Sequence, residues 1–168
     1  MSESISITIS RRAFLRGSFS LQPAEIRPPW ALTSPTFEQA CTRCDACIGV
    51  CPSRIMVRGA AGFPTIDFRL GTGECTFCGE CAAACQPAAL KVAADAPPWR
   101  LKAAIGEACL ALKDIVCRSC GDRCNAGAIR FRPRLGGAAR PELDAAACTG
   151  CGACIGVCPS AAIAVNQS

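Results

Sequence analysis

Residues 41–52 read Cys-Thr-Arg-Cys-Asp-Ala-Cys-Ile-Gly-Val-Cys-Pro. Cys41, Cys44, Cys47 and Cys51 therefore stand in C-x2-C-x2-C-x3-C, with Pro52 directly after. The pattern returns at Cys75, Cys78, Cys81 and Cys85, where Gln86 precedes Pro87. It returns again at Cys148, Cys151, Cys154 and Cys158, with Pro159 next. Ligands at every third residue of a tight loop wrap the chain around one small cube. This run is the bacterial ligand pattern for 4Fe-4S clusters, and three copies in one short chain leave chance negligible. Backbone N–H groups on such a loop turn toward the sulfides and offset their charge. Gly79, Gly121 and Gly152 stand where the loop wants close backbone approach or positive φ, and Asp45 takes that place in the first motif.

The last four cysteines are Cys109, Cys117, Cys120 and Cys124. The final three keep C-x2-C-x3-C, but the first is displaced by five residues. Two fates are open for Cys109. It is a ligand returned to the usual corner by the longer 110–116 loop, or a buried structural thiol beside a three-cysteine cluster. The step from each fourth cysteine to the next first cysteine is 24 residues in all three gaps, 51 to 75, 85 to 109 and 124 to 148. That regularity favours the ligand.

Three chemistries use cysteine this densely, 16 in 168 residues. Disulfides need an oxidising compartment. Structural zinc shows as separated C-x2-C pairs. The spacing selects iron–sulfur over both. The chain has no His, so Ser-His-Asp and Cys-His catalysis, Cys2His2 fingers, His-ligated haem and Rieske centres are excluded. No catalytic residue is assigned. No apolar run reaches transmembrane length. Lys and Arg form no long stripe with interleaved aromatics, which argues against nucleic acid. Aromatics are only 5%, so hydrophobic burial alone would hold the chain weakly.

Each fourth cysteine is followed by a strand-like stretch: 54–57, 89–92, 128–131 and 162–165. Partner strands are expected at 64–68, 99–101 and 142–143. Turn signals stand between at Gly59–Gly62, Ala96-Pro97-Pro98 and Leu135-Gly136-Gly137. The fold class is α+β: two tandem bacterial-type two-cluster 4Fe-4S ferredoxin-like modules, with short helices and β-hairpins, preceded by an N-terminal arm. The expected boundaries are 1–36 for a basic arm and Pro-rich tether, 37–96 for the first module and 97–168 for the second.

In two-cluster ferredoxins the fourth cysteine serves the other cluster. Site one then takes Cys41, Cys44, Cys47 and Cys85. Site two takes Cys75, Cys78, Cys81 and Cys51. Site three takes Cys109, Cys117, Cys120 and Cys158. Site four takes Cys148, Cys151, Cys154 and Cys124. Pairing of the second motif with the third is also open, because equal gaps do not distinguish it. Four 4Fe-4S clusters are the cofactors in either case.

Residues 10–17 read Ser-Arg-Arg-Ala-Phe-Leu-Arg-Gly, similar to a twin-arginine export motif. The stretch after it is broken by Gln22, Glu25, Arg27 and prolines, and lacks a clear A-x-A site, so it makes a poor signal. The plainer expectation is a short helix presenting Arg11, Arg12 and Arg16 as a basic docking arm, then an extended tether over 18–37.

The four tetracysteine motifs, the Ser-Arg-Arg-x-Phe-Leu-Arg-Gly start and the lengthened third motif with Cys-Arg-Ser-Cys-Gly-Asp-Arg-Cys at 117–124 resemble the NapF family. These are ferredoxin-type accessory proteins of the periplasmic nitrate reductase system. Gln86 before Pro87 and Asn125 after Cys124 depart from the ferredoxin pattern but leave every thiol in place. The resemblance implies a cytoplasmic protein, not an enzyme, carrying four 4Fe-4S clusters. Its partner would be the catalytic subunit of periplasmic nitrate reductase, met as a precursor before export. Its role would be help with that subunit's iron–sulfur assembly or redox poise. The other expectation is an electron-transfer subunit of a respiratory oxidoreductase.

The formal charge of +5 counts cysteines as neutral. Sixteen thiolates on four cores of about +2 each bring the oxidised protein to about −3. The basic balance is thus largely compensation for cluster charge.

Overall fold

The computed structural model describes residues 25–93 and 96–167. Its elements are small: α1 Thr36–Ala40, α2 Ala46–Gly49, β1 Met56–Arg58, β2 Pro64–Ile66, α3 Glu80–Ala83, β3 Leu101–Ile105, a 3-10 turn Ala111–Lys113, α4 Ser119–Asp122, β4 Ile129–Arg134, β5 Gly137–Leu143, α5 Ala153–Gly156 and β6 Ile163–Gln167. Helices α2 to α5 are single turns placed inside the cysteine motifs. Helices this short are unstable alone and depend on what they pack against.

Among the described residues three two-stranded antiparallel sheets frame the motifs. β1 pairs β2 with Met56 opposite Ile66, and Gly59 N–H closes the hairpin on Phe63 O at 2.8 Å. β4 pairs β5 from Ile129 opposite Leu143, with an irregularity between Arg132 and Arg134. Pro133 lies at that break and has no N–H to give the ladder. β3 pairs the C-terminal β6, Leu101 opposite Gln167 and Ile105 opposite Ile163, and so closes the second half on itself.

The strand expected at 89–92 is not formed. Only a single bridge joins Leu90 to Ala31. The reason is the partner. Leu101 is taken by β6, so the 89–91 backbone turns to residues 30–32: Leu32 N–H meets Ala89 O at 3.0 Å and Lys91 N–H meets Trp30 O at 2.9 Å. Pro28 and Pro29 stop that segment from laddering further. The same segment also bridges Ile26 to Ile66, and Pro29 is fully buried. The described part of the Pro-rich stretch is thus laid along the first half.

The larger core gathers Phe37, Ile55, Met56, Phe63, Ile66, Phe68 and Leu90 around Cys47 and Cys81. The second is poorer: Ala103, Ile129 and Ile163 around Cys120 and Cys154. Trp99, Ile155 and Val165 of the second half pack against the first core, so the halves share an interface. Among the described residues no helix is long and apolar enough to cross a membrane.

Candidate metal centres

Each single-turn helix begins just after a motif's second cysteine. In three motifs its N-cap is left-handed: Asp45 at φ 62°, Gly79 at φ 82° and Gly152 at φ 84°. The residue before that cysteine is left-handed too: Arg43 at φ 59°, Phe77 at φ 55° and Gly150 at φ 75°. Two such reversals on either side of one cysteine curl the loop and bring its thiols around a common space. Asp45 holds the place without glycine, and its carboxylate is paired with Arg58 of β1.

The third motif is built differently. Arg118 caps α4 at φ −135°, and the chain arrives through the 3-10 turn and a left-handed Asp114 at φ 61°. Gly121 lies inside α4 and serves close approach, because a Cβ there would lie 2.8 Å from the Phe131 ring.

A fourfold feature stands after the fourth cysteines. Arg54 (φ 53°), Ala88 (φ 53°), Gly127 (φ 62°) and Ala161 (φ 48°) each lie three residues later, all left-handed. Their N–H groups return to the carbonyls of Cys51, Cys85, Cys124 and Cys158 at 3.1, 3.1, 2.9 and 3.1 Å. Only one of the four is glycine, so composition hides the repeat.

All sixteen cysteines are free thiols. Cys51 of the first motif lines a cleft with Cys75, Cys78 and Cys81 of the second. Cys124 of the third motif lines a second one with Cys148, Cys151 and Cys154 of the fourth. Both walls are almost wholly apolar apart from the sulfurs. Among the described residues no three His, Cys, Asp or Glu side chains converge closely enough to hold a single ion. The thiols surround a space rather than meet at a point, and a donor set of four thiols around such a space fits a cube.

Part of each of the other two groups shows in the electrostatics. Burial pushes the Cys47 thiol up to about 11, with Cys85 and Cys41 adding to the rise. Burial raises Cys120 to about 11, with Cys109 and Cys117 adding. Cys109 thus lies close enough to the third motif for its charge to be felt. Burial likewise lifts Cys81 and Cys154 to about 12, followed by their own loop mates Cys75 and Cys151. These are the third thiols of the loops (Cys120 aligned on its later cysteines), and all four are buried. A thiol raised this far would need a bound metal to offset the loss of its proton.

Backbone amides also reach the sulfurs. Leu90 N–H points to Cys85 Sγ at 3.4 Å, Ala103 N–H to Cys148 Sγ at 3.4 Å and Ala162 N–H to Cys158 Sγ at 3.2 Å. At Cys158 burial opposes ionisation, yet the N–H of Ala162 and the groups of Ser160 outweigh it and lower the thiol. Such bonds stabilise charge on sulfur and tune a bound cluster. Helix α2 contacts α3, and α4 contacts α5, so the first motif faces the second and the third faces the fourth.

Arg11, Arg12 and Arg16 lie outside the described residues. A basic feature less evident in sequence is the β4–β5 hairpin, which exposes Arg130, Arg132, Arg134 and Arg140. Arg132 pairs with Glu142 at 2.6 Å, and Arg134 pairs with Asp114.

Two family models, both described as 4Fe-4S dicluster domain, match residues 37–86 and 115–162. Cys109 falls outside the second match. Sixteen cysteines in two dicluster domains fit four 4Fe-4S clusters. The chain is 45% identical over 157 residues to the ferredoxin-type protein NapF of Escherichia coli K12, covering 94% of each chain. It is 45% identical over 169 residues to the protein of the same name in Haemophilus influenzae, covering 95% of this chain and 94% of that one. It is 30% identical over 171 residues to the methylamine utilization ferredoxin-type protein MauM of Methylophilus methylotrophus, covering 88% of this chain and 72% of that one.

Proposed function

The chain belongs to the family of ferredoxin-type proteins NapF, and from that premise we propose that it serves the maturation of the catalytic subunit of periplasmic nitrate reductase, acting in the cytoplasm on the precursor. The observation that carries this is the identity across nearly the full length of both chains. The irregular third motif and the twin-arginine-like start support it. Members of such a family are electron-transfer proteins rather than enzymes. When bound, each cluster takes up and returns one electron.

We assign the cysteines residue by residue. Cys41, Cys44, Cys47 and Cys85 hold site one, and Cys75, Cys78, Cys81 and Cys51 hold site two. Cys109, Cys117, Cys120 and Cys158 hold site three, and Cys148, Cys151, Cys154 and Cys124 hold site four. The modules are 37–96 and 97–168, after an arm of 1–36. The shared cavity walls and the thiols that raise one another support this grouping. The buried third thiols and the apolar walls would shield the inner side of a bound cluster from water. Arg11, Arg12 and Arg16 serve as a docking arm.

The test is capture of the purified catalytic subunit precursor by the holoprotein, compared with Arg11→Ala/Arg12→Ala. Retention by the parent and loss in the variant, with an unchanged visible spectrum, supports both partner and arm. Equal retention removes the arm's role. Deletion should abolish activity of newly made enzyme but leave electron flow through enzyme already mature. Stoichiometric co-purification with the mature complex would instead favour a respiratory electron-transfer subunit.

A further inference from the structure

The two halves meet through the loops of the second and fourth motifs. Cys75 N–H donates to Cys151 O at 2.8 Å. One residue lines the cavity of the second motif and the other that of the fourth. The contacts around this bond involve residues beside cysteines of the second, third and fourth motifs. Glu74, beside Cys75, pairs with Arg123, beside Cys124, at 2.9 Å. The Trp99 indole N–H donates to Thr149 O at 3.1 Å, between Cys148 and Cys151. The Trp99 ring stands edge-on to Phe77, beside Cys78, at 5.6 Å, and to Phe68 at 6.0 Å. Phe68 in turn fills the place of a side chain on Gly152, where a Cβ would overlap the ring. The third loop reaches this junction at Arg123, beside its fourth cysteine, and not through its start at Cys117. Cys44 is exposed, and Val116, beside Cys117, is 85% exposed.

We propose that the Cys75–Cys151 contact couples the two modules and orders the four sites one, two, four, three, in contrast to the order of their motifs in the chain. The proposal rests on the ligand assignment above. Two charged sites joined by one peptide hydrogen bond through an apolar wall interact far more strongly than across water. A change of charge at site two is therefore felt at site four and not at site three. Sites one and three form the two ends, where partners would exchange electrons with the chain. Trp99, Phe68 and Gly152 act as positioning residues that keep the two loops in register.

The experiment uses the full-length holoprotein. Cys78→Ser, Cys117→Ser and Cys151→Ser are made singly, and Cys78→Ser is combined with each of the others. Each single variant identifies the EPR lines of its own site, and redox titration gives the midpoints. Cys78→Ser should also shift the lines and midpoint of site four, leaving those of site three unchanged. Cys78→Ser/Cys151→Ser should be non-additive and Cys78→Ser/Cys117→Ser additive. Where serine costs site two its cluster, site four should lose a spin neighbour and its reduced lines should narrow, again without change at site three. Trp99→Leu touches no ligand. With full iron content it should shrink the cross-shift by at least half. Additive behaviour of 78 with 151, or cross-shifts between 78 and 117, overturns the order while leaving the ligand assignment intact. Unchanged iron and spectra in Cys78→Ser would overturn the assignment and the order with it.

Discussion

Cys109 and Cys158 belong to one packed cluster with Ala111 and Ala162, although the first opens the third motif and the second ends the fourth. The displaced cysteine therefore lies where a crossed fourth ligand would meet it. Cys109→Ser should remove the site-three cluster or convert it to a three-iron form. Iron should fall measurably below the about sixteen per chain that four cubes require. Unchanged iron and EPR would make Cys109 a structural thiol.

Ala161 and Gly127 occupy equivalent left-handed positions, at φ 48° and φ 62°. L-residues other than glycine are strained there. Ala161→Gly should raise stability by about 1 kcal/mol, and Gly127→Ala should lower it by a similar amount. Anaerobic denaturation of the holoprotein gives both midpoints. A Gly127→Ala protein as stable as its parent would contradict the shared geometry.

Arg27 stands over the rings of Phe37 and Phe63 at 5.1 and 5.0 Å and pairs with Glu38 at 3.2 Å. It pins the Pro-rich tether to the first core. Arg27→Ala should cost about 1 to 2 kcal/mol locally. The amides of Ile66 and Lys91, which donate to Ile26 O and Trp30 O, should then exchange roughly tenfold faster. Unchanged exchange at both would show that the prolines alone hold the segment.

The cores are thin and built around cysteine, so the fold should depend on its metal. Anaerobic chelation should abolish near-UV CD and most secondary structure. Retained native-like near-UV signal in iron-free protein would refute this dependence.

The sequence made the cysteine loops legible because cluster chemistry fixes ligand spacing locally. Strands at 56–58, 129–134 and 163–167 were also foreseeable from β-branched stretches after each fourth cysteine. The failure at 89–92 has a tertiary cause. Which backbone would lie beside Leu90 depended on Leu101 choosing Gln167 and on residues 30–32 taking its place. The left-handed Arg43, Phe77, Arg54, Ala88 and Ala161 were not legible, because none is a residue that announces positive φ. The junction of the second and fourth loops was likewise hidden, since Phe68, Trp99 and Gly152 carry no shared spacing.

Anaerobic reconstitution with iron and sulfide analysis and EPR tests the central claim most directly. The account predicts about sixteen irons and sixteen sulfides per chain and signals from four interacting 4Fe-4S centres once reduced. Two clusters or fewer, or stoichiometric zinc without sulfide, would contradict it.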